Sequence, residues 1–374
     1  MSDRILIGTH KGLFTVDRRG ASGTPQWTIC QTAFLGDPVS MVLADSRDNT
    51  TYAALNLGHF GVKLHRSKDG GKTWEECAAP AFPGQPAPVA PGTASPDGPQ
   101  GDTVRQVWSL EAGGAEEPGV LWAGTIPGGL FRSPDRGSTW ELAQTLWDRP
   151  ERKEWFGGGA EQPGIHSVCV NPKDSRHITL GVSCGGVWQT NDGGRTWANR
   201  AEGMCAAYMP PEQQRNPNIQ DPHRVVQCAA APSVFWAQHH NGIFRSTDGS
   251  ASWHEVPSMG PSTFGFAVAV HPRDSDSAWF VPAIKDERRI PVDGRLVVTR
   301  TRDGGKSCTV LREGLPQQHA YDLVYRHGMD IDETGNRLAF GSTTGSAWIS
   351  ENQGDSWQCI STHLPPIKCV RFVR

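Results

Sequence analysis

One eight-residue pattern recurs along this chain and constrains its fold more than any other feature. The clearest copies are SKDGGKTW at 67–74, SPDRGSTW at 133–140, TNDGGRTW at 190–197 and STDGSASW at 246–253. Two diverged copies follow, TRDGGKSC at 301–308 and SENQGDSW at 350–357. Self-similarity at a period of about 50 residues predicts propeller blades or a solenoid rather than one irregular domain.

The residues of this octapeptide suit the turn of a β-hairpin. Its Asp can accept backbone N–H bonds across the turn, its glycines permit positive φ, and its Trp can pack between neighbouring units. A Gly turn and an apolar strand precede each copy, as in GGLFRS at 128–133 and NGIFRS at 241–246, and two further strands lie upstream. The order strand, strand, strand, turn, strand is that of a four-stranded antiparallel propeller blade.

Six complete units fit between Ser40 and about Pro365. The N-terminal segments ILIGTHKGLFTVD and QWTICQ supply three more strands, and the C-terminal IKCVRFVR supplies one. We therefore predict an all-β fold, with residues 1–374 as a single seven-bladed β-propeller. Residues 367–373 would close the ring by pairing with the N-terminal blade, which removes exposed sheet edges. A six-bladed ring, which ignores the N-terminal strands, is the alternative.

The repeated octapeptide resembles the Asp-box, or BNR, repeat of sialidase-like and glycosyl-hydrolase-like β-propellers. The resemblance covers almost the whole chain, and it implies the fold more narrowly than the activity. Such propellers include sialidases, xyloglucan-cleaving glycosidases, photosystem-assembly factors and sorting-receptor domains. If the resemblance extends to sialidase activity, it implies three inward arginines that hold a carboxylate and a Tyr nucleophile paired with a Glu. Here only Arg105 and Arg224 fall at inner-strand entries, and the RIP motif at 289–291 lies in the sixth blade instead of the first.

Composition excludes some classes of partner. A formal net charge of −3 and a pI near 6.5 leave no basic field for nucleic acid or an anionic membrane. The start MSDRILIGTH lacks an apolar signal region, and no stretch approaches transmembrane length. Nine scattered cysteines without a Cys-x-x-Cys pair favour reduced thiols and a cytoplasmic location. The sequence leaves the oligomeric state open.

Four insertions interrupt the period, and they indicate where function lies. They span residues 80–102, 146–164, 203–222 and 285–294, and the first is a Pro/Gly-rich segment expected to form a surface loop. In a propeller, the blade-to-blade links and the second hairpin of each blade emerge on one face, which we call the top face. The octapeptide turns lie on the opposite face. Long loops gathered at one mouth of a scaffold predict a functional site there.

Histidines are the strongest chemical signal on the predicted top face. Four fall in second-hairpin turns, namely His10, His59, His239 and His240, and three fall at inner-strand entries, namely His166, His223 and His319. Clustered neutral imidazoles bind zinc, copper, iron or manganese. We predict a divalent transition-metal site formed by His166, His223, His239, His240 and His319. Because neighbours in a strand alternate sides, at least one of the adjacent pair should be structural. For any single histidine, the simpler interpretation is a polar residue at a strand end that is hydrogen-bonded to the backbone.

Other candidates follow from what a metal site needs. A metal-bound water requires a carboxylate as proton acceptor, and a polarised substrate requires Arg or Tyr. The catalytic candidates are Glu161, Asp221, Arg224 and Tyr321, and the substrate-binding candidates are His10, His59, Trp155 and Lys285. GVSCG at 181–185 matches G-x-S-x-G but connects strand to strand, which argues against Ser183 as a nucleophile.

Three functions remain open from the sequence. The first is a metal-dependent hydrolase or lyase that acts on a small polar substrate. The second is a sialidase-like glycoside hydrolase without metal, in which Glu154 or Glu161 acts with Asp221. The third is a non-catalytic binding platform.

Overall fold

The computed structural model describes residues 2–20, 26–84 and 103–374. These residues form seven four-stranded antiparallel sheets, and the innermost strand of each sheet contacts the innermost strands of its two neighbours around the ring. The molecule is a seven-bladed β-propeller, as predicted, and the six-bladed alternative is wrong. Residues 85–102 of the first insertion lie outside the described residues.

The first four blades are built as follows, with strands numbered along the chain. Blade 1 contains β1 (Arg4–Thr9), β2 (Gly12–Arg19) and β3 (Gln26–Ala33). Blade 2 contains β4 (Val39–Asp45), β5 (Thr50–Asn56), β6 (Val62–Ser67) and β7 (Glu75–Cys77). Blade 3 contains β8 (Gln106–Ala112), β9 (Leu121–Ile126), β10 (Leu130–Ser133) and β11 (Glu141–Leu142). Blade 4 contains β12 (Ile165–Val170), β13 (Ile178–Val182), β14 (Gly186–Thr190) and β15 (Ala198–Asn199).

The remaining blades follow the same plan. Blade 5 contains β16 (Pro222–Gln227), β17 (Phe235–His239), β18 (Gly242–Ser246) and β19 (His254–Glu255). Blade 6 contains β20 (Gly265–Val270), β21 (Ala278–Pro282), β22 (Val298–Thr301) and β23 (Thr309–Leu311). Blade 7 contains β24 (Met329–Ile331), β25 (Leu338–Gly341), β26 (Ala347–Ser350) and β27 (Gln358–Ser361). The last strand is β28 (Ile367–Phe372). The helices are short: α1 (Gln144–Trp147) and 3-10 turns at Gly58–Phe60, Pro150–Glu154, Pro217–Ile219 and Val292–Gly294.

The C-terminal strand closes the ring, as predicted. β28 pairs antiparallel with β1, with Ile7 opposite Val370 and Ile5 opposite Phe372, and it is the innermost strand of blade 1. Apolar side chains of β1 and β28 are buried together with Ile349 from blade 7. Because the two ends of the chain share one sheet, blade 1 has four strands like the other described blades, and the ring is closed.

The repeated octapeptide forms the same turn in successive blades. In blade 4, Asp192 Oδ1 accepts from the backbone N–H of Thr196 at 2.9 Å, while Oδ2 accepts from the Thr196 hydroxyl at 2.6 Å. Gly193 and Gly194 have φ of 73° and 91°, which only glycine adopts without strain. The pattern therefore closes the hairpin with its own atoms.

Tryptophans from these turns bridge neighbouring blades. Trp253 Nε1 donates to the carbonyl oxygen of Arg200 at 2.7 Å, and Trp140 Nε1 donates to that of Ala78 at 2.8 Å. Both partners belong to the preceding blade, so these rings are wedges between sheets, as the sequence predicts. No helix in the described part of the chain is long and apolar enough to cross a membrane. All nine cysteines are free thiols.

Candidate functional site

The candidate site lies where blade 5 reaches the top face. Asp221 precedes β16, His223 is its second residue, and His240 follows the end of β17. Asp221 Oδ2 lies 3.4 Å from His223 Nε2 and also 3.4 Å from His240 Nδ1. All three candidate ligand atoms lie within 4.8 Å of one another. Pairing of β16 with β17 thus joins residues that are 17 to 19 positions apart in sequence.

One oxygen of Asp221 is held in place by the neighbouring blade. Its Oδ1 accepts from the backbone N–H of Cys184 at 3.1 Å and from the Ser183 hydroxyl at 3.2 Å, both in the β13–β14 turn. Burial alone would raise the pKa of Asp221, but the protonated forms of His223 and His240, together with nearby Arg326, outweigh it and place that pKa well below its usual range. Asp221 is therefore an ionised carboxylate whose second oxygen, Oδ2, faces the two imidazoles.

The proton on His223 is located by its hydrogen bond to blade 6. His223 Nδ1 lies 2.7 Å from the carbonyl oxygen of Gly265, and because a carbonyl only accepts, Nδ1 carries the hydrogen. Burial lowers the pKa of His223 more than Asp221 raises it, so the ring is neutral. The lone pair of Nε2 is then directed at the Asp221 carboxylate. Two electron-rich atoms face each other, an arrangement that a cation between them would stabilise.

The distances suit a small tetrahedral cation. Two ligand atoms that each lie about 2.1 Å from a tetrahedral zinc ion are about 3.4 Å apart. Both the Asp221–His223 and the Asp221–His240 separations have this value. A backbone carbonyl that fixes the tautomer of a ligating histidine is the usual outer contact of such sites. Asp221, His223 and His240 could therefore hold a divalent transition metal.

The adjacent histidines have different environments, as strand alternation predicts. His239 is fully buried, and burial lowers its pKa to about 3, so that it is neutral. Its Nε2 and Nδ1 lie 3.1 Å from the backbone N–H groups of Asp221 and Asn241, respectively, and a neutral ring can accept one of them. His239 therefore supports the loop that carries Asp221, while His240 belongs to the cluster.

The cluster opens to solvent beside His240, whose side chain is 22% exposed. The ring of Tyr208, from the link between blades 4 and 5, packs against that imidazole with centroids 4.7 Å apart. On the other side, a Cβ on Gly158 would lie 3.5 Å from Asp221 Oδ2 and 2.4 Å from Cys184 Sγ. A glycine is thus required for the 146–164 insertion to pass this closely.

Two predicted residues lie on the axis instead of in the cluster. His166 is buried, with its ring edge-to-face against Trp108 and its Nδ1 2.9 Å from the Ser167 hydroxyl. Arg224 points into the channel, where its Nη1 donates to the carbonyl oxygen of His166 at 3.1 Å and lies 3.2 Å from His327 Nε2. The prediction that His166 shares a metal site with His223 is not matched by these positions.

Most of the other predicted residues lie in top-face loops outside the cluster. Glu161 is 89% exposed and pairs with Arg105 at 3.3 Å, and Lys285 pairs with Glu287 at 3.3 Å. Tyr321 is 58% exposed. His10, His59 and His319 are also exposed, and His319 has a positive φ of 53° in the link to blade 7. No hydrogen bond or ion pair in the described structure joins any of these residues to Asp221, so their proposed roles stay predictions.

Trp155 requires a correction. The sequence predicted that Trp155 binds substrate, which requires an accessible ring, but the residue is only 6% exposed. It packs edge-to-face against Trp188, with ring centroids 5.7 Å apart, and beneath the guanidinium of Arg152. Burial of a large ring between two blades is favourable, and the insertion delivers it to the interior. Trp155 therefore anchors the insertion.

The sequence did not identify the residues that orient the cluster. Ser183, Cys184 and Gly265 come from blades 4 and 6, and each acts through a hydrogen bond across a blade boundary. The GVSCG segment was the available signal, but it was considered only as a nucleophile motif and rejected as one. In the structure, the Ser183 hydroxyl donates to Asp221.

Comparisons with known proteins agree with the fold and leave the activity open. No family model matches the chain. Xyloglucanase Xgh74A of Acetivibrio thermocellus is 29% identical over 149 residues, covering 35% of this chain and 16% of its own length. A xyloglucanase of a Paenibacillus species is 28% identical over 145 residues, covering 35% of this chain and 13% of its own length. The chain thus spans less than a fifth of the length of these relatives.

Solved structures give the same fold at low identity. An ancestral GH74 enzyme superposes with a TM-score of 0.59 at 15% identity, covering 86% of this chain and 38% of that one. YCF48 from Cyanidioschyzon merolae superposes with a TM-score of 0.52 at 12% identity, covering 88% of this chain and 87% of that one. At these identities the likeness shows the β-propeller fold alone. The narrower Asp-box and sialidase-like assignment stays a prediction.

Proposed function

We propose that this protein is a hydrolase that uses a divalent transition metal held by Asp221, His223 and His240, and that it acts on a small polar substrate. The observation that carries the proposal is the pair of 3.4 Å separations from Asp221 Oδ2 to the two imidazole nitrogens. When bound, such an ion makes water a nucleophile near neutral pH or polarises a substrate oxygen. Lyase chemistry at the same centre is the alternative, and analysis of the reaction products would distinguish it from hydrolysis.

The surroundings of the cluster support this function. Gly265 orients His223, and Ser183 and Cys184 orient Asp221, so two ligands are preorganised before any ion binds. Three protein ligands leave one tetrahedral position for water or substrate, as in catalytic zinc sites. The partly exposed edge of His240 provides access to that position.

Metal binding can be tested directly on untagged protein. We expect one equivalent of zinc or another transition metal by elemental analysis, either retained or restored by addition. Asp221→Asn and His240→Gln should each weaken binding at least about 100-fold, because a ligand is lost. His254→Gln is the matched control, since His254 is exposed on the outer strand β19. A wild type that takes up no metal would remove the proposal.

Glycoside hydrolysis without metal is the second candidate, favoured by the match to xyloglucanases. Its acids are Glu154 and Glu161 with Asp221, but Glu154 accepts hydrogen bonds from Asn216 and Asn218, and Glu161 is paired with Arg105. Cleavage of xyloglucan oligosaccharides by metal-free protein, lost in Glu154→Gln or Glu161→Gln, would support it. Cleavage lost on metal removal would support the first proposal instead.

We also propose a cytoplasmic location, supported by the nine free thiols. Thiol labelling of protein isolated from separate cell fractions tests it, and a predominantly secreted, oxidised form would contradict it. The hypothesis of a non-catalytic binding platform stays a prediction. A partner that is retained without turnover would favour it.

A further inference from the structure

A cavity of about 210 Å³ lies on the propeller axis, beside the 146–164 insertion. Its charged and aromatic walls are formed by Trp108, Arg289, Tyr325, Arg326 and Lys368. Three of these residues are cationic, and no Asp or Glu is found among the described residues that line it. A partly open cavity with this balance of charge attracts anions.

Arg326 is the residue that points to a ligand. Its side chain is only 6% exposed, and its guanidinium lies against Trp108 and Phe266, at 4.6 Å and 5.3 Å from the ring centroids. Burial lowers its pKa to about 10, which still leaves it charged at neutral pH. Stacking on aromatic faces positions the planar group but does not neutralise its charge.

The guanidinium of Arg326 lacks partners for its polar atoms among the described residues. Nε is buried without a hydrogen-bond partner, and no described carboxylate lies within 4.0 Å of the guanidinium. Asp221 is near enough to raise the pKa of Arg326 but not to form an ion pair with it. Buried charges in proteins are normally paired, since an unpaired one carries a large desolvation cost. An anionic ligand would supply the missing partner.

The other two cations have unequal freedom. Arg289 is paired with Asp286 at 2.6 Å and lies over Phe266 at 5.2 Å. Lys368 lies in β28, the strand that closes the ring. No described carboxylate is within 4.0 Å of its ammonium group, and burial lowers its pKa. Arg326 and Lys368 are therefore the two cations of this cavity that lack a carboxylate partner.

The cavity adjoins the proposed metal centre. Gly158 passes beside Asp221, and a Cβ on the next residue, Gly159, would lie 2.7 Å from Arg326 Nη2. Two successive glycines thus touch the metal centre and the axial guanidinium in turn. One small molecule could present its reacting bond to the metal centre and a charged group to Arg326.

We infer that this cavity binds a carboxylate or phosphate group through Arg326, with Lys368 as a second cation, and that the substrate is an anionic small molecule. Guanidinium suits both groups, because its parallel N–H donors match two oxygens of either. The statement about the substrate rests on the proposed function. The anion site itself does not require the metal.

Calorimetric titration of metal-stripped, desalted protein tests the site independently of the metal. Inorganic phosphate and acetate are titrated separately at ionic strength matched with chloride. We expect at least one of them to bind in the millimolar range or tighter. Phosphate binding the more tightly indicates a phosphorylated substrate, and acetate binding the more tightly indicates a carboxylate.

Variants locate the binding. Arg326→Met should weaken binding of the anion at least about tenfold, which is the loss expected when a charge-assisted hydrogen bond is removed. Lys368→Met should weaken it less. Arg312→Gln is the matched control, because Arg312 is exposed away from the cavity. Thermal unfolding checks that each variant is folded. If Arg326→Met does not fold, Arg326→Lys takes its place. Lysine keeps the charge but lacks the paired N–H donors of the guanidinium, so anion binding should still weaken several-fold.

The inference is overturned if neither anion binds the wild type beyond the chloride control, or if a folded Arg326 variant binds as the wild type does. Both results leave the metal measurement unaffected, so failure of the anion site is distinguishable from failure of the proposed function. Metal uptake that fails while Arg326-dependent anion binding persists would leave an anion-binding propeller without the proposed hydrolysis.

Discussion

Two aspartates on opposite faces of the disc show what distinguishes a structural carboxylate from a chemical one. Asp192, in an octapeptide turn, accepts from Thr196 and from the hydroxyl of Thr190, all within seven residues. Asp221, on the top face, accepts from Ser183 and Cys184 of another blade. The pKa of each is lowered, yet only Asp221 is buried.

The difference lies in what remains free after the hydrogen bonds are made. Both oxygens of Asp192 are occupied by its own turn, so the carboxylate has little left for a ligand. Asp221 uses Oδ1 for orientation and keeps Oδ2 facing two imidazoles. Because such a turn is completed by its own residues, the pattern can repeat in blades 2 to 7. The arrangement around Asp221 requires residues of three blades and occurs at one place in the described ring.

The largest contrast is expected from removing each carboxylate. Asp221→Ala should abolish metal retention, weakening it at least about 100-fold, and should abolish turnover of any substrate found. Asp192→Ala should retain both, because the octapeptide turns lie on the far face. Elemental analysis and activity assays on the two purified variants check this. Equal loss in both variants would mean that the metal follows overall stability and not the cluster.

The adjacent histidines should separate stability from metal binding. His239→Phe leaves a buried backbone N–H of Asp221 or Asn241 without its acceptor, which we expect to cost about 1–3 kcal/mol in the free energy of unfolding. His240→Phe should lose the metal with little change in metal-free stability, because its side chain is partly exposed. Urea unfolding of the metal-free variants measures the first effect, and metal titration measures the second. A reversed pattern would exchange the roles assigned to the two residues.

A smaller effect is expected within one turn. Asp192→Ala removes acceptors for the Thr196 N–H and hydroxyl and should lower the thermal midpoint by a few degrees. Asp192→Asn should cost less. The diverged copy already carries Asn352, whose Oδ1 accepts from the Ser356 N–H at 2.9 Å. Differential scanning calorimetry compares the two variants, and an Asn variant as unstable as the Ala one would show that the charge matters more than the acceptor.

The smallest effect is the dependence of these turns on pH. Hydrogen bonds from the turn, first those of Thr196 and Ser307, lower the pKa of Asp192 and Asp303 to about 2. An unfolded Asp titrates near 3.9. The stability these groups contribute is therefore present above about pH 4 and is lost as pH falls towards 2. An Asp192→Asn/Asp303→Asn double variant should lose less stability over that window by urea unfolding. A parallel loss would assign acid sensitivity to other groups.

Much of the fold was predictable because its signals are local. The octapeptide and the strands before it predicted blades, and the unmatched strands at the two ends predicted closure through β28. The site was only partly predictable. Strand position placed Asp221, His223 and His240 on one face, but it also favoured His166 and His319, which are not part of the described group of candidate ligands. Strand position does not tell whether a side chain turns towards the axis, towards solvent or between two blades.

The sequence by itself determined the repeat, the turn chemistry, the number of blades and the adjacency of His239 and His240. The tertiary structure decided which of those two imidazoles joins Asp221, which oxygen of Asp221 stays free, and that Trp155 is buried while Arg326 lacks a carboxylate partner. The physical reason is one of range. Turns and strands are specified by contacts within a few residues, whereas the candidate site depends on hydrogen bonds and packing between blades whose registers are fixed only when the ring has closed.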